Sequence, residues 1–319
     1  MNVVIQVSPS KFKQIQQNYV TNQQTGLPKG TSFRVKIPGV TITGYQSGKI
    51  MFQGQLAQQE AQRWDTHDMM TSESHPTKIA DDLPQNFDQL SVLGSDEVGT
   101  GSYFGPLTTA AVFVQHNHLQ ALNELGVEDS KKLSDPAIIK MAKQIMQICP
   151  YHVVNIKPHD YNRLIKQYNQ AQLKAICHNY VLGKVLAKIK PQSPDAILID
   201  EFVSPQTYFN YLQGQSPIIA KNVFFKEKGE SYHLAVAAAS IVARYVSLQT
   251  MDELSALAGQ TLPIGAGHKV DLIAADLIRK GKNLDQFAKL HFGNTMKARR
   301  LANQNKYNIN YYQPKDFHR

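Results

Sequence analysis

The sequence predicts a protein of two domains, in which a small α+β domain precedes a larger domain of the α/β class. The chain has 319 residues, about two domains at roughly 150 residues each. Hydrophobic residues make up 42% of it, which is enough for a substantial core. Beyond residue 90, short apolar runs typical of strands alternate with helical segments, which is the pattern of an α/β layer fold.

The net charge of +9 is distributed unevenly, and its distribution indicates the domain boundaries. Residues 1–64 carry seven Lys and Arg but one acidic residue, whereas residues 65–90 carry six acidic residues and one lysine. The acidic stretch contains two prolines and lacks periodicity. We therefore predict a domain at 1–65, a linker at 66–88 and a second domain at 89–319. The basic first domain favours a polyanionic partner, although solubility alone explains the charge equally well.

The first predicted domain starts with an alternating strand, VVIQV, and a helix that opens at a Ser-Pro pair and runs to Val20. The stretch SFRVKIPGVTITGYQSGKIMFQG predicts a meander of strands with a tight turn at Ser47 and Gly48. LAQQEAQRW then predicts a closing helix. This order of elements fits a small twisted antiparallel sheet with helices on one face.

The second predicted domain opens with two apolar strands around a glycine-rich turn, in SVLGSDEVGTGSYFGPLTTAAVFVQ. Further strands are predicted at YHVVNIK, DAILIDEF and NVFFKEKGE. Helices are predicted at about 117–125 and 136–148, and in YNRLIKQYN, AQLKAICHNYVLGKVLAKI and SYHLAVAAASIVARYVSLQTMDEL. The apolar run in DAILIDEF is continuous rather than alternating, which is typical of a strand buried on both faces.

Acidic residues follow the apolar strands of the second domain. Asp96 and Glu97 end the first strand, Asp200 ends DAILID, and Glu230 lies between a strand and the long helix. Carboxylates at such positions are costly unless they are paired or bind a cation, and hard oxygen ligands select Mg²⁺ or Mn²⁺. Each acid alone could be an ordinary loop or capping residue. Together, in a basic protein, they favour a metal site, and two ions held by carboxylates can cleave a phosphodiester.

Other motifs exclude several classes of function. GTGSYFGP at 99–106 is not a P-loop, because no Gly-Lys-Ser/Thr follows, and a strand rather than a dinucleotide-binding helix comes next. Its glycines could let backbone amides approach a phosphate or a sugar hydroxyl, and a plain tight turn explains them equally well. The histidines form no HxxxH pair, and there is no GxSxG motif.

The chain shows no apolar run of 18 residues, so we expect no membrane span, and its N-terminus lacks the pattern of a secretory signal. Two cysteines, Cys149 and Cys177, are too few for a disulfide framework or a cysteine-based zinc site. A reducing cytoplasm is therefore the expected location.

Five segments together resemble ribonuclease HIII, a bacterial type 2 ribonuclease H. They are GSDEVGTGSYFGPL (94–107), EDSKKLSD (128–135), ILIDEF (197–202), KGESYHLAVAAASIVARY (228–245) and KLHFGNTMKA (289–298). The resemblance covers nearly the whole chain after residue 90, and the order of these motifs is very specific. The first domain, with SGKIMFQG, more weakly resembles that family's substrate-binding domain, which is similar to the TATA-binding protein.

The resemblance implies an RNase H fold, with a mixed sheet flanked by helices. It also implies cleavage of the RNA strand of RNA/DNA hybrids with Mg²⁺ or Mn²⁺, leaving 5′-phosphate and 3′-hydroxyl ends. The family's four catalytic, metal-binding acids map onto Asp96, Glu97, Asp200 and Glu230. Thr100 stands where ribonuclease HII has Arg, and Glu230 stands where that enzyme has Asp. The change at Thr100 puts efficient cleavage at a single embedded ribonucleotide in doubt.

The resemblance implies substrate contacts as well. The loop amides would lie near the ribose 2′-hydroxyl, two lysines would hold phosphates, and the first domain would bind the hybrid by charge and shape. The expected contact residues are Gly99, Thr100, Gly101, Ser102, Lys131, Lys132, Tyr45, Lys49 and Phe52. The last three could equally be ordinary residues of a small sheet. We expect a monomer with no obligate protein partner.

Two alternatives remain open at this point. One is a nuclease that, like ribonuclease HII, prefers single embedded ribonucleotides. The other is a protein that binds nucleic acid through its basic first domain and catalyses nothing, although the complete set of four acids argues against it.

Overall fold

The computed structural model describes residues 2–7, 9–19, 27, 30–45, 48–64, 83–127 and 133–308. The chain divides into two compact units, Met1–His75 and Pro76–Arg319. Most of the predicted linker lies outside the described residues. Its last part does not behave as a linker, because Phe87 is buried in the second unit against Phe224 and His233.

The first unit is a four-stranded antiparallel sheet with two helices packed against it. The strand order is β1-β4-β3-β2. The elements are β1 Asn2–Gln6, α1 Pro9–Asn18, β2 Thr31–Ile37, β3 Val40–Tyr45, β4 Lys49–Gln53 and α2 Ala57–Gln62. Alternate strand residues, among them Phe33, Ile42 and Phe52, form one core with Ile15 of α1 and Ala61 of α2. The predicted meander and the predicted helices are thus present.

The second unit is built on a five-stranded mixed sheet in the order β7-β6-β5-β8-β9. β5, β6 and β7 pair antiparallel, while β8 pairs parallel with β5 and with β9. The strands are β5 Val92–Val98, β6 Leu107–Val114, β7 Tyr151–Ile156, β8 Ala196–Asp200 and β9 Val223–Lys226. This is the predicted mixed sheet, although β9 is shorter than predicted. The chain after β9 forms a 3₁₀ turn, Gly229–Ser231, instead of extending the strand.

Helices cover both faces of this sheet. They are α3 Leu119–Glu124, α4 Asp135–Ile148, α5 Pro158–Leu164, α6 Gln170–Ile189, α7 Pro205–Tyr211, α8 Leu234–Ala258, α9 His268–Arg279 and α10 Asn294–Asn308. Short 3₁₀ helices lie at Phe87–Gln89, His116–His118 and Leu284–Gln286. The core around α8 and α4 and the core around α6 and α7 involve opposite residues of β5 and β6, as in a three-layer α/β fold.

The helix α8 packs directly on β5 because the residues of both elements have small side chains where they meet. A Cβ atom added to Gly94 would lie 2.4 Å from the carbonyl carbon of Ala235 and 2.5 Å from the amide nitrogen of Val236. Within the described part of the chain, α8 alone is long and apolar enough to cross a membrane by length and composition. However, 56% of its most apolar window is buried inside the unit, as expected for a core helix.

Replacing Gly94 with alanine should therefore destabilise the second unit. The new methyl group has backbone atoms in its way, and these can move only if α8 moves away from the sheet. Overpacking of this kind costs roughly 1–3 kcal/mol, which corresponds to a fall in Tm of several degrees. Thermal unfolding followed by circular dichroism measures the change. An unchanged Tm would contradict the close packing of α8 on β5.

Candidate active site

The carboxyl ends of two neighbouring parallel strands bring two of the predicted acids together. β5 and β8 pair with Ser95 opposite Ile199, so Asp96 and Asp200 are the next residues on adjacent strands. Both strands are buried up to this point, and the acids lie where the burial becomes partial. Functional side chains of α/β sheets are commonly found at this edge, because the strands end there next to open loops.

Glu230 approaches the same edge from the segment that follows β9. Lys226, the last residue of β9, lies opposite Asp200, and the 3₁₀ turn that carries Glu230 comes directly afterwards. The amide nitrogen of Gly229 donates a 2.8 Å hydrogen bond to Oδ1 of Asp200. The charge of Glu230 acts on the Asp200 carboxyl. The structure thus places Glu230 close enough to act on Asp200.

Electrostatic repulsion is concentrated at Asp96 and Asp200. Burial raises the pKa of Asp96 to about 8, and the negative charges of Glu97 and Asp200 add to the effect, although hydrogen bonds from Ser240 and from a backbone amide oppose it. Burial also raises the pKa of Asp200, with further contributions from the charges of Glu97 and Glu230. Ionised carboxylates at this edge therefore lack sufficient compensating charge from the protein.

Glu97 differs from the other acids, because the helix α6 supplies it with donors. Its Oε1 atom lies 2.5 Å from Nζ of Lys174, and its Oε2 atom lies 2.9 Å from Nε2 of His178. Burial would raise the pKa of Glu97, but the hydrogen bonds and charges of His178 and Lys174 lower it well below its usual range. Neither donor was identified from the sequence. The only local signal is a lysine and a histidine four residues apart within a largely apolar helix.

The acids fit a hard divalent cation by their chemistry. They offer carboxylate oxygens at one sheet edge, and the raised pKa values of Asp96 and Asp200 record the repulsion that a cation would relieve. Within the described ranges, no three acidic, histidine or cysteine side chains already form a closed metal-binding cluster. Glu97 is instead turned towards Lys174 and His178.

The glycine-rich loop leads from the acids to β6, and its glycines have different roles. Gly99 has a φ of +95°, and a Cβ atom there would lie 2.1 Å from the carbonyl oxygen of Pro106, so the backbone requires glycine at this position. Gly101 has no atom within 4 Å of an added Cβ. Nε2 of Gln170 donates a 3.1 Å hydrogen bond to the Thr100 carbonyl, and this bond fixes the loop beside α6.

A buried lysine anchors the far side of this loop. Nζ of Lys289 donates hydrogen bonds to the carbonyl oxygens of Ser102 and Gly105, at 2.8 and 2.7 Å. Its side chain is fully buried, and burial lowers its pKa to about 7. Lys289 belongs to the KLHFGN segment, to which sequence reasoning assigned no role. The loop is thus held at both sides by residues that are distant in sequence.

Comparisons with known proteins identify the family of this chain. A family model described as ribonuclease HII matches residues 93–295, and a domain of unknown function (DUF3378) matches residues 2–77. The chain is 60% identical to the ribonuclease HIII of Limosilactobacillus fermentum over 306 residues, which is 95% of this chain and 100% of that protein. The chain belongs to the ribonuclease HIII family. It is 51% identical to the ribonuclease HIII of Leuconostoc mesenteroides subsp. mesenteroides, over 94% of this chain and 100% of that one.

A solved structure of the ribonuclease HIII family confirms the predicted fold. The crystal structure of Bst-RNase HIII in complex with Mn²⁺ has a TM-score of 0.67 and 42% sequence identity, and the match covers 95% of this chain and 100% of that one. The RNase H-like α/β fold and the family predicted from the sequence motifs are therefore correct. The chain is a ribonuclease H, an endonuclease.

The first unit of this ribonuclease H separates the three residues that the sequence grouped near one turn. Tyr45 and Lys49 lie on the face of the sheet opposite the helices, where the Tyr45 hydroxyl is 4.0 Å from the sulfur of Met51. Phe52 points the other way and is fully buried in the core. The predicted contact between Phe52 and substrate is therefore wrong, because the period of a strand puts it under α1 and α2.

Two further predicted contacts of this ribonuclease H lie outside the described residues. Lys131 and Lys132 belong to the segment 128–132, which separates two described ranges. Their predicted role at the phosphates stays a prediction. Ser102 is described, and its hydroxyl accepts a 3.2 Å hydrogen bond from the amide of Gly265, so its side chain helps to position the loop.

Proposed function

We propose that this ribonuclease H cleaves the RNA strand of RNA/DNA hybrids and leaves 5′-phosphate and 3′-hydroxyl ends. Asp96, Glu97, Asp200 and Glu230 would hold divalent ions, either Mg²⁺ or Mn²⁺. The observation that carries the proposal is the uncompensated repulsion among carboxylates at the ends of β5 and β8. Two such ions, when bound, supply an activated water and stabilise the leaving oxygen of the phosphodiester.

The protein's own residues orient the acids and the substrate. The Gly229 amide fixes one oxygen of Asp200. Glu97 stays ionised because Lys174 and His178 lower its pKa. The loop that contains Thr100 and Gly101 would present its backbone to the ribose, where the 2′-hydroxyl distinguishes RNA from DNA.

A cleavage assay with three labelled substrates tests the proposal. The substrates are a long RNA/DNA hybrid, a DNA duplex with one ribonucleotide, and an all-DNA duplex, each with Mg²⁺, with Mn²⁺ or with chelator. We expect cleavage of the long hybrid only when a divalent ion is present, and products that a polymerase can extend from the 3′ end. Preferred cleavage at the single ribonucleotide would instead support a specificity like that of ribonuclease HII. Cleavage in chelator would overturn the metal-dependent mechanism.

Gly101 provides a test of the loop's role. Because an alanine at this position meets no protein atom, Gly101→Ala should fold with an unchanged Tm. We expect its hybrid cleavage to fall by about tenfold or more, since the added methyl group would occupy space that the ribose approaches, and small misplacements of substrate are costly. Steady-state kinetics on the long hybrid measure the loss. Gly293→Ala, another glycine with open space around it, is the matched control, and equal activity of the two variants would contradict the loop contact.

We propose that the face of the first unit's sheet opposite α1 and α2 binds the hybrid backbone. This face carries Arg34, Lys36 and Lys49, with Arg34 opposite Thr43 and Thr43 opposite Met51 across the strands. Such a surface neutralises phosphates without reading bases. It is the face on which the predicted contacts Tyr45 and Lys49 remain.

Removing one of these charges should weaken binding in a salt-dependent way. For Lys36→Gln or Lys49→Gln we expect a lower affinity for hybrid and a slope of log K against log salt that is smaller by about 1, with kcat unchanged. Fluorescence anisotropy across a salt titration measures both quantities. Lys13→Gln removes the same charge from the exposed side of α1 and should leave the slope as it is. Equal slopes for all three variants would contradict this binding surface.

A further inference from the structure

The helix α6 delivers two buried polar side chains to the acids, one helical turn apart. The side chains of Lys174 and His178 are only 8% and 0% exposed, and Glu97 is 10% exposed. Burying a charged lysine costs free energy because its ammonium group loses water, and a charged hydrogen-bonding partner compensates for that cost. The pair of donors therefore forms one unit with Glu97.

A chain of hydrogen bonds orients the histidine. Nδ1 of His178 lies 2.8 Å from the hydroxyl oxygen of Ser95, and Nε2 lies 2.9 Å from Oε2 of Glu97. The Glu97 carboxylate can only accept, so Nε2 carries the hydrogen and donates. The Ser95 hydroxyl is hydrogen-bonded to the other ring nitrogen, Nδ1, so both nitrogens of His178 are engaged. Ser95 thus fixes the ring orientation from which Nε2 reaches Glu97.

An aromatic ring immobilises both donors from the side of β8. Nζ of Lys174 lies 3.9 Å from the ring centroid of Phe202. The imidazole of His178 stacks on the same ring with centroids 5.2 Å apart and planes at 25°. Phe202 follows Asp200 by two residues. The donors of Glu97 are therefore fixed with respect to both strands that carry the acids.

The two carboxylate oxygens of Glu97 accept different numbers of hydrogen bonds. Oε1 accepts from Lys174 at 2.5 Å and from the hydroxyl of Thr100 at 3.3 Å, which uses both of its lone pairs. Oε2 accepts from His178 at 2.9 Å, and no other described donor is bonded to it. Oε2 is thus the atom with acceptor capacity left for a cation.

We propose that Lys174 and His178 are positioning residues that orient Glu97 for metal binding, with Ser95 fixing the orientation of the His178 ring. The proposal rests on the proposed metal-dependent function. Partners that hydrogen-bond a metal-binding carboxylate orient it, and losing one typically costs roughly 10–100-fold in metal affinity or activity.

Variants of the Ser95–His178 pair test the orientation directly. Mn²⁺ binding to the whole protein is measured by isothermal titration calorimetry, together with kcat and KM for hybrid. We expect His178→Leu to lower both the Mn²⁺ affinity and kcat by about tenfold or more, with KM unchanged. His178→Gln should restore part of the affinity and part of kcat, because its side-chain amide can donate to Oε2 of Glu97. Ser95→Ala, a small change that should fold, is expected to lower Mn²⁺ affinity and kcat a few-fold because the His178 ring is then held at one nitrogen only. Normal Mn²⁺ affinity and kcat in His178→Leu and Ser95→Ala would overturn the proposal.

Variants of Lys174 separate orientation from simple charge balance. If Lys174 were only a counter-ion, removing its charge would tighten the binding of a cation. As a positioning residue, Lys174→Met should weaken Mn²⁺ binding, and Lys174→Arg should recover part of it. Lys184→Met removes an exposed lysine from the same helix and should leave Mn²⁺ binding unchanged. Tighter Mn²⁺ binding by Lys174→Met would overturn the role assigned to this lysine.

Titrating the wild-type protein and Asp200→Asn with Mn²⁺ alongside these variants distinguishes a failure of the proposed metal-dependent function from a failure of the positioning role. Absence of Mn²⁺ binding or of metal-dependent cleavage in the wild type would overturn the proposed function itself. Wild-type binding that Asp200→Asn loses and His178→Leu retains would leave the proposed function standing and overturn only the positioning role.

Discussion

Asp200→Asn should lose hybrid cleavage by more than about a hundredfold while the fold survives. Asp200 lies at the end of β8, where its carboxylate would bind the divalent ions, and asparagine offers one neutral oxygen in place of two oxygens that share a negative charge. The fold should survive, because the Gly229 amide can still donate to the asparagine oxygen in place of Oδ1 of Asp200. Single-turnover cleavage of a long hybrid with Mg²⁺ or Mn²⁺ measures the loss, and circular dichroism establishes that the variant is folded.

The other end of the same strand offers the control. Asp195 precedes β8, is exposed, and accepts a 2.9 Å hydrogen bond from the amide of Ser91. Asp195→Asn makes the same chemical change far along the strand from the acids, so we expect full activity. An Asp200→Asn protein that cleaves at the wild-type rate would show that the metal-binding acids have been assigned incorrectly.

Asp96→Asn should be inactive and yet more stable than the wild type at alkaline pH without metal. The pKa of Asp96 rises from 3.8 when it is unfolded to about 8 in the folded protein, chiefly through burial and then through Glu97 and Asp200. The stability that this group contributes is complete below pH 4 and is lost as the pH rises towards about 8. Asparagine cannot ionise, so the variant avoids this loss.

We expect the stability advantage of Asp96→Asn to be small near pH 4 and to reach about 1 kcal/mol or more near pH 8, since one pKa unit corresponds to about 1.4 kcal/mol. Chemical unfolding at several pH values in chelator measures it. Saturating Mn²⁺ should stabilise the wild type more than the variant, because the cation relieves the repulsion. A variant that is less stable than the wild type at pH 8 in chelator would contradict the electrostatic strain at this site.

Asp276→Asn should change stability with pH in the opposite direction to Asp96→Asn. A hydrogen bond with Lys280 lowers the pKa of Asp276, and the lysine's charge contributes further. The stability from this group is present at neutral pH and is lost as the pH falls through its lowered pKa. Any decrease in the free energy of unfolding caused by Asp276→Asn should therefore be seen at neutral pH and disappear in acid. The gain in stability expected for Asp96→Asn instead grows towards alkaline pH.

Asp96 and Asp200 could be picked out as candidates because each lies at the end of an apolar strand segment. An ionisable group at the end of a buried strand is recognisable from a few neighbouring residues. The prediction for the first unit was less successful. Tyr45 and Phe52 occur in adjacent strands with similar patterns, and the strands alone do not indicate which face the helices cover. Phe52 is in the core because α1 and α2 pack on its side.

The residues that the sequence did not reveal are those whose partners are distant in the chain. Lys174 is 77 residues from Glu97, and Lys289 is 187 residues from Ser102. In the sequence they are ordinary lysines, and most lysines are solvated. Their roles arise only because α6 and the segment before α10 pack against the end of β5 and the glycine-rich loop.

The sequence by itself determined the family, the alternation of strands and helices, and the choice of four candidate acids, since these depend on local patterns of polarity and on short motifs. The tertiary structure decided how these acids are held: which donors keep Glu97 ionised, which lysine anchors the loop, and which face of the first sheet the helices cover. The reason is physical. Burial and the charge of distant neighbours set the ionisation and orientation of a side chain, and both come into existence only when the elements pack together.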